Sequence, residues 1–184
     1  AYRLRVPTRM VHEVIQLVAL DNGYHPVVDY LASLEWDGAP RVESLFSRYF
    51  GAVDSELTQA LGRCFLISAV ARIMNHDKGG CKVDTTVVLY SAKQGTHKSS
   101  ALRALAGADW FSDSALDLQG GMKDAYQSLQ GVWIYELGEL DSINKARASS
   151  VKSFLSAQID RYRPSFGRCQ VRVPRQCVFC ASTN

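Results

Sequence analysis

Hydrophobic positions in the first 80 residues recur at helical spacing. Val11, Val14, Ile15 and Val18 fall on one stripe, with Thr8 placed to cap the helix and Asp21-Asn22-Gly23 placed to end it. Pro26 opens a short helix through Val27, Tyr30 and Leu31, closed by Trp36-Asp37-Gly38. A third helix starts after Asp54 and runs through Leu57, Leu61, Phe65 and Ile67 to about Met74. Its apolar residues cover much of its circumference, which predicts a largely buried helix. Asn75 to Gly80 is a polar break carrying glycine, and it marks the expected boundary between a helical subdomain, 1–80, and a second unit, 81–184.

Beyond that break the pattern changes. Thr85-Thr86-Val87-Val88-Leu89-Tyr90 is β-branched and continuously apolar, the pattern of a strand buried on both faces. A helix follows over Ser99 to Ala106, then a short strand around Trp110-Phe111 and a helix near Lys123 to Leu129. A second buried strand, Val132-Trp133-Ile134-Tyr135, leads to a helix from about Asn144 to Ala157. The arginine-rich segment after it reads as a β-hairpin turning at Gly167-Arg168, and Cys177 to Cys180 as a last strand. Strands alternating with helices predict an α/β domain with a mostly parallel sheet.

Composition adds little to this. In 184 residues, 47% hydrophobic and 21% charged positions are those of a soluble globular protein. The longest apolar run, Cys64 to Met74, is interrupted by Arg72 and is too short to cross a bilayer, so no membrane segment is expected. A start at Ala1 with no leader, and a stop at Asn184 just after an apolar run, read as a piece of a longer polypeptide. The net charge of +3 indicates nothing by itself, but its distribution does. Arg161, Arg163, Arg168, Arg172 and Arg175 share a stretch in which Asp160 is the only carboxylate. That cluster is either a solvated face or a phosphate-contacting element. Cys177-x-x-Cys180 has half the spacing of a zinc site, with no second pair following. Buried free thiols in a reducing cytoplasm are the expected reading.

The chemistry centres on Ala92-Lys93-Gln94-Gly95-Thr96-His97-Lys98-Ser99, set between a buried strand and a helix. This is the position and length of G-x-x-x-x-G-K-[ST], whose backbone amides cradle a polyphosphate at a helix N-terminus. Gly95, Thr96, His97, Lys98, Ser99 and Ser100 are the candidate nucleotide contacts, with Lys98 on the β/γ-phosphates and the Ser99 hydroxyl on Mg²⁺. Ala92 and His97 replace both signature glycines. The loop amides can still face phosphate if His97 takes a right-handed backbone with its ring leaving sideways, and that conformation is the expectation. The strand Val132 to Tyr135 runs into Glu136, with Glu139 and Asp141 close behind, and the last strand ends at Asn184. Three elements thus aim suitable groups at one sheet edge.

Longer motifs carry a specific resemblance. Asn22-x-Tyr24-His25-Pro26-Val27, Asp29-Tyr30-Leu31 and Leu34-Glu35-Trp36-Asp37-Gly38-x-x-Arg41 open it. Gly79-Gly80-Cys81-Lys82, Lys98-Ser99-Ser100-Ala101-Leu102 and Trp133 to Asp141 continue it, as do Asp160 to Pro164, Val173-Pro174-Arg175-Gln176 and Ser182-Thr183-Asn184. From about Asn22 onward the chain resembles the virulence-associated E family of phage and prophage proteins, itself similar to superfamily 3 helicases, which are AAA+-like ring ATPases. The resemblance implies a P-loop NTPase sheet, incomplete after Asn184, behind an α-helical N-terminal subdomain. It implies Walker A roles for Lys98 and Ser99, a Walker B role for Glu136 with Glu139 as a second candidate acid, and a sensor role for Asn184. The hairpin would grip DNA through Arg163, Arg168 and Arg172, with Arg168 at its tip.

The resulting expectation is an ATP- and Mg²⁺-dependent DNA helicase or translocase core in the cytoplasm of a phage or prophage host. A hexameric ring would supply an arginine finger encoded beyond Asn184, and a primase domain could lie upstream. On that view the fragment alone is a weakly active monomer. The alternative is a DNA-binding or assembly module with a degenerate, non-hydrolysing P-loop. A small-molecule kinase fits less well, because no substrate lid is inserted.

Overall fold

The computed structural model describes residues 6–116, 122–138, 148–167 and 169–184. They fall into two compact units, 1–35 and 36–184. The first holds helix α1 (Thr8–Asp21) and helix α2 (Pro26–Ala32). Thr8 is the first helical residue of α1 rather than its cap; Pro7 holds the cap position in an extended conformation and makes no side-chain bond there. In α2 the cap is His25, whose Nδ1 accepts from the Val28 amide at 3.3 Å.

The second unit opens with a π-helical turn, Leu45–Tyr49, whose Phe46 packs on Phe50 and Phe65. Helix α3 (Glu56–Met74) starts at a capping box in which Ser55 and Thr58 bond each other's backbone amides. Its apolar circumference predicts a largely buried helix, but Phe65, Ala69, Arg72 and Ile73 are buried while Leu57 and Ile67 are exposed. A helix lying on a sheet covers one stripe, whatever its other faces carry. Among the described residues, α3 is the one helix long and apolar enough to cross a membrane. Here it is fastened to the sheet instead: Ala69 O accepts from Trp133 Nε1 at 3.0 Å, and buried Arg72 donates to Cys177 O at 2.5 Å and Ala157 O at 3.2 Å. The compact units divide after Glu35, and α3 belongs to the unit that holds the sheet.

The remaining elements are β1 (Val87–Tyr90), α4 (Lys98–Ala106), β2 (Phe111–Ser112), α5 (Met122–Ser128), β3 (Ile134–Gly138), α6 (Ala148–Ser156), β4 (Ile159–Tyr162), β5 (Val171–Pro174) and β6 (Val178–Thr183). The chain is therefore a mixed α/β protein. Its main sheet has four strands in the order β1-β6-β3-β2, and every pair in it is parallel. Strands β4 and β5 form a separate antiparallel hairpin. Tyr135 and Leu137 of β3, with Phe179 and Ala181 of β6, meet Ala125 of α5 and Phe154 of α6 in the core on one face of the sheet. The alternate residues Ile134, Glu136, Cys180 and Ser182 point to the other face.

β1 departs from the expected two-sided burial. Val88 is 51% and Tyr90 71% exposed. Both lie at the sheet edge, in register with Ala181 and Thr183, beyond the reach of the helical cover over β3 and β6. The helix read from Asn144 is described from Ala148 onward; residues 144–147 lie outside the described residues.

Candidate functional site

Strand order builds the site. β6 lies between β1, which leads into the Gly95–Ser99 loop, and β3, which carries Glu136. The end of β6 is thus flanked by the groups that its two neighbouring strands deliver. Glu136 lies inside β3, not past its end: the strand continues to Gly138, and Glu136 pairs in register with Cys180. That places the carboxylate within the sheet face, 3% exposed.

Four predicted groups meet here. Lys98 Nζ donates to Asn184 Oδ1 at 2.8 Å and to Thr183 O at 3.0 Å. Ser99 Oγ donates to Glu136 Oε1 at 2.8 Å. A third strand group joins them: Ser182 Oγ donates to the same Oε1 at 2.5 Å. The other carboxylate oxygen, Glu136 Oε2, is buried and has no hydrogen-bond partner among the described residues. An unsatisfied buried acceptor costs about 1–3 kcal/mol, so this oxygen is a ready seat for a donor or a cation. The neighbouring Cys180 thiol is pushed up to about 12, first by burial and then by the charge of Glu136. It is a neutral filler at every ordinary pH.

His97 corrects the sequence reading. Its backbone is left-handed (φ 58°, ψ 26°), not right-handed, and it holds the N-cap position of α4. Gly95, two residues earlier, also has positive φ (71°). The loop therefore keeps a glycine-like trace at both positions, although His97 carries a β-carbon that disfavours it. The His97 side chain does not cap α4, so among the described residues its first amides have neither intrahelical acceptors nor a capping side-chain oxygen. Thr96, His97, Lys98 and Ser100 line one wall of a cleft of about 820 Å³, with Tyr49, Phe50, Leu61 and Tyr90 around the remainder.

The basic cluster splits into two kinds of arginine. Arg175 is 1% exposed and binds Asp160 through Nη2 at 2.5 Å and Nε at 3.0 Å. It also donates to Phe154 O and lies over the Phe154 ring, 4.6 Å from its centroid. This arginine fastens the hairpin root and is not available to a partner. Arg161 and Arg172 are exposed and directly opposite each other across β4 and β5. Arg163 Nε donates to Gly167 O at 2.9 Å, closing the turn on which Phe166 stands fully exposed at φ 64°. Glu139 and Asp141, and Arg168 at the expected tip, lie outside the described residues.

Among the described residues no His/Cys/Asp/Glu cluster could hold a metal through three or more ligands. Cys177 and Cys180 are buried free thiols, and burial pushes Cys177 up to about 11. Cys64 and Cys169 are free and exposed. The sequence reading missed Ser182, Arg72 and the Arg175–Asp160 root. Ser182 stood within a quoted motif, but its role depends on the β3–β6 register, which no local pattern specifies.

No curated protein matches the chain. Among solved structures it is similar to the apo C-terminal region of NrS-1, with 17% identity and a TM-score of 0.49 over 78% of this chain and 33% of that one. The A form of the same region gives 17% identity and a TM-score of 0.46, over 79% and 32%. The chain thus spans about a third of the length of these structures. The virulence-associated protein E-like domain matches residues 31–184, and the chain belongs to that family.

Proposed function

We propose that this chain is the nucleotide-binding core of an ATP-dependent DNA helicase or translocase serving replication of a phage or mobile element. The observation that carries the reading is the meeting of Lys98, Ser99, Glu136 and Asn184 at the C-terminal edge of a parallel sheet. This is where a P-loop NTPase places its Walker A, Walker B and sensor groups. The loop amides from Gly95 to Ser100 and the α4 N-terminus would receive the phosphates of ATP. Lys98 has three N–H donors and uses two on Asn184 and Thr183, leaving the third for phosphate oxygen. The aromatic cleft beside the loop would take the nucleoside.

The residues fit a hard divalent cation, which prefers oxygen ligands. Ser99 can offer its oxygen lone pair while its O–H goes on donating to Glu136 Oε1, and among the described residues Glu136 Oε2 is a buried oxygen without a donor. Mg²⁺ bound there would supply charge neutralisation on the β- and γ-phosphates. Asn184, held through its Oδ1 by Lys98, would orient the attacking water with its amide N–H. A neighbouring subunit of a six-membered ring would supply the arginine that completes the site. Arg161, Arg163 and Arg172 on the hairpin would contact phosphates of single-stranded DNA.

A second reading, nucleotide binding without turnover, draws on the bulky His97 at a glycine position of the motif. Hydrolysis assays with and without single-stranded DNA separate the two. DNA-stimulated turnover that is lost in Glu136→Gln, with binding retained, supports the helicase reading. Binding with no turnover under any condition supports the second, and no binding at all removes both.

A further inference from the structure

Ser182 is a polar side chain at the sheet edge to which the nucleotide reading gives no task. It lies on β6, two residues beyond Cys180, and Cys180 is the residue in register with Glu136. On a parallel pair this puts Ser182 on the same face as the carboxylate and diagonally ahead of it. The residue directly opposite Ser182 is Gly138, which presents no side chain, so the hydroxyl can turn back toward Glu136. It does so at 2.5 Å.

Both hydroxyls at this carboxylate, Ser99 from the helix and Ser182 from the strand, donate to the same oxygen, Oε1. A carboxylate oxygen has two lone pairs, and here both are engaged. Among the described residues nothing donates to the buried Oε2. Had the two hydroxyls divided between the oxygens, neither oxygen would be left bare. The two serines are also unequal. Ser99 sits at the mouth of α4, where its lone pairs are available to a ligand of the loop. Its bond to Glu136 must be able to adjust when phosphate arrives. Ser182 is held by a central strand of the sheet, which fixes its backbone. It is therefore the fixed anchor of the carboxylate.

We infer that Ser182 is a positioning residue. By saturating Oε1 from the strand side it fixes the orientation of Glu136, so that Oε2 alone is presented to a divalent cation bound with the nucleotide. The inference rests on the nucleotide reading above. Hydrogen-bonding partners that orient a metal-binding carboxylate typically account for 10–100-fold in metal affinity.

The test is equilibrium binding of a non-hydrolysable ATP analogue to the whole chain, first in EDTA and then across a Mg²⁺ series. Ser182→Ala is expected to raise the Mg²⁺ concentration needed for half-maximal strengthening by roughly tenfold. The affinity in EDTA should stay within about twofold of wild type. Ser182→Thr, which keeps the hydroxyl and suits a strand, should restore the wild-type requirement. A merely structural serine would lower both affinities together and would not separate them by metal. An unchanged Mg²⁺ requirement in Ser182→Ala, with wild type showing one, overturns the inference and leaves the nucleotide reading standing. A wild-type chain that binds no analogue at all overturns both. Should Ser182→Ala fail to fold, Ser182→Cys keeps the volume with only a weak donor and carries the same outcomes.

Discussion

At the sheet edge, polar side chains satisfy one another: Lys98 with Asn184, and Ser99 and Ser182 with Glu136. On the hairpin, Arg161 and Arg172 face each other on adjacent strands, and neither forms an ion pair among the described residues. Like charges directly opposite on an antiparallel pair are destabilising. One region is organised through its own hydrogen bonds, with one buried oxygen, Glu136 Oε2, left unsatisfied among the described residues. The other holds an exposed excess of positive charge on a rigid root, Arg175–Asp160. The contrast suits two kinds of partner. A small polyphosphate needs placed donors, whereas a polymer backbone needs charge that slides along it.

The hairpin root gives the largest expected effect. Asp160→Asn leaves Arg175 as an uncompensated buried charge and should cost about 3–5 kcal/mol in urea denaturation. Arg172→Ala, one strand position from the root on the exposed side, should stay within about 0.5 kcal/mol of wild type. If the two variants unfold at the same urea concentration, the division between root and exposed arginines is wrong.

The exposed half of the comparison is broken or sharpened by DNA binding. Arg172→Ala should weaken single-stranded DNA about equally across sequences and lower the salt slope by roughly 0.7. Arg103 serves as a control of equal charge, already paired with Asp113 at 3.0 Å. Equal small losses for Arg103→Ala and Arg172→Ala would make the hairpin an ordinary solvated face. Phe166, fully exposed on the hairpin turn, tests the same surface by stacking: Phe166→Ala should cost about 1–3 kcal/mol on single strands if a base rests on it.

Much of this was legible in the sequence because it is local. The strand–loop–helix around Lys98, the start of α3 after Asp54 and the succession of strands and helices follow from period and turn chemistry. The one-sided burial of β1 and α3 was not legible, because the pattern tells what a residue could bury and not which strand ends at the edge. Arg175 reads as one more surface cation until Asp160 and the rings of Phe154 and Phe179 are seen around it. His97 was misread for a different reason. A β-carbon is penalised at positive φ, which favours a right-handed backbone at this position. The loop keeps the strained trace instead.

That correction yields the smallest effect. A left-handed non-glycine residue costs roughly 1–2 kcal/mol, and glycine returns about 0.5–1 kcal/mol of it through its freer unfolded chain. His97→Gly should therefore stabilise the chain by about 0.5–1 kcal/mol in thermal or urea unfolding. It should change ATP affinity by less than about tenfold, because the backbone trace is already that of glycine. A hundredfold gain in affinity would show that the imidazole obstructs the phosphate site.

The central claim is that the Lys98–Ser99–Glu136–Asn184 edge is a nucleotide site, and calorimetric titration of Mg²⁺ and a non-hydrolysable ATP analogue tests it most directly. The account predicts saturable binding by wild type below about 1 mM, a limit of −4.1 kcal/mol, and loss of about tenfold or more in Lys98→Ala. Absence of wild-type binding at millimolar analogue, or equal affinity in Lys98→Ala, would contradict it.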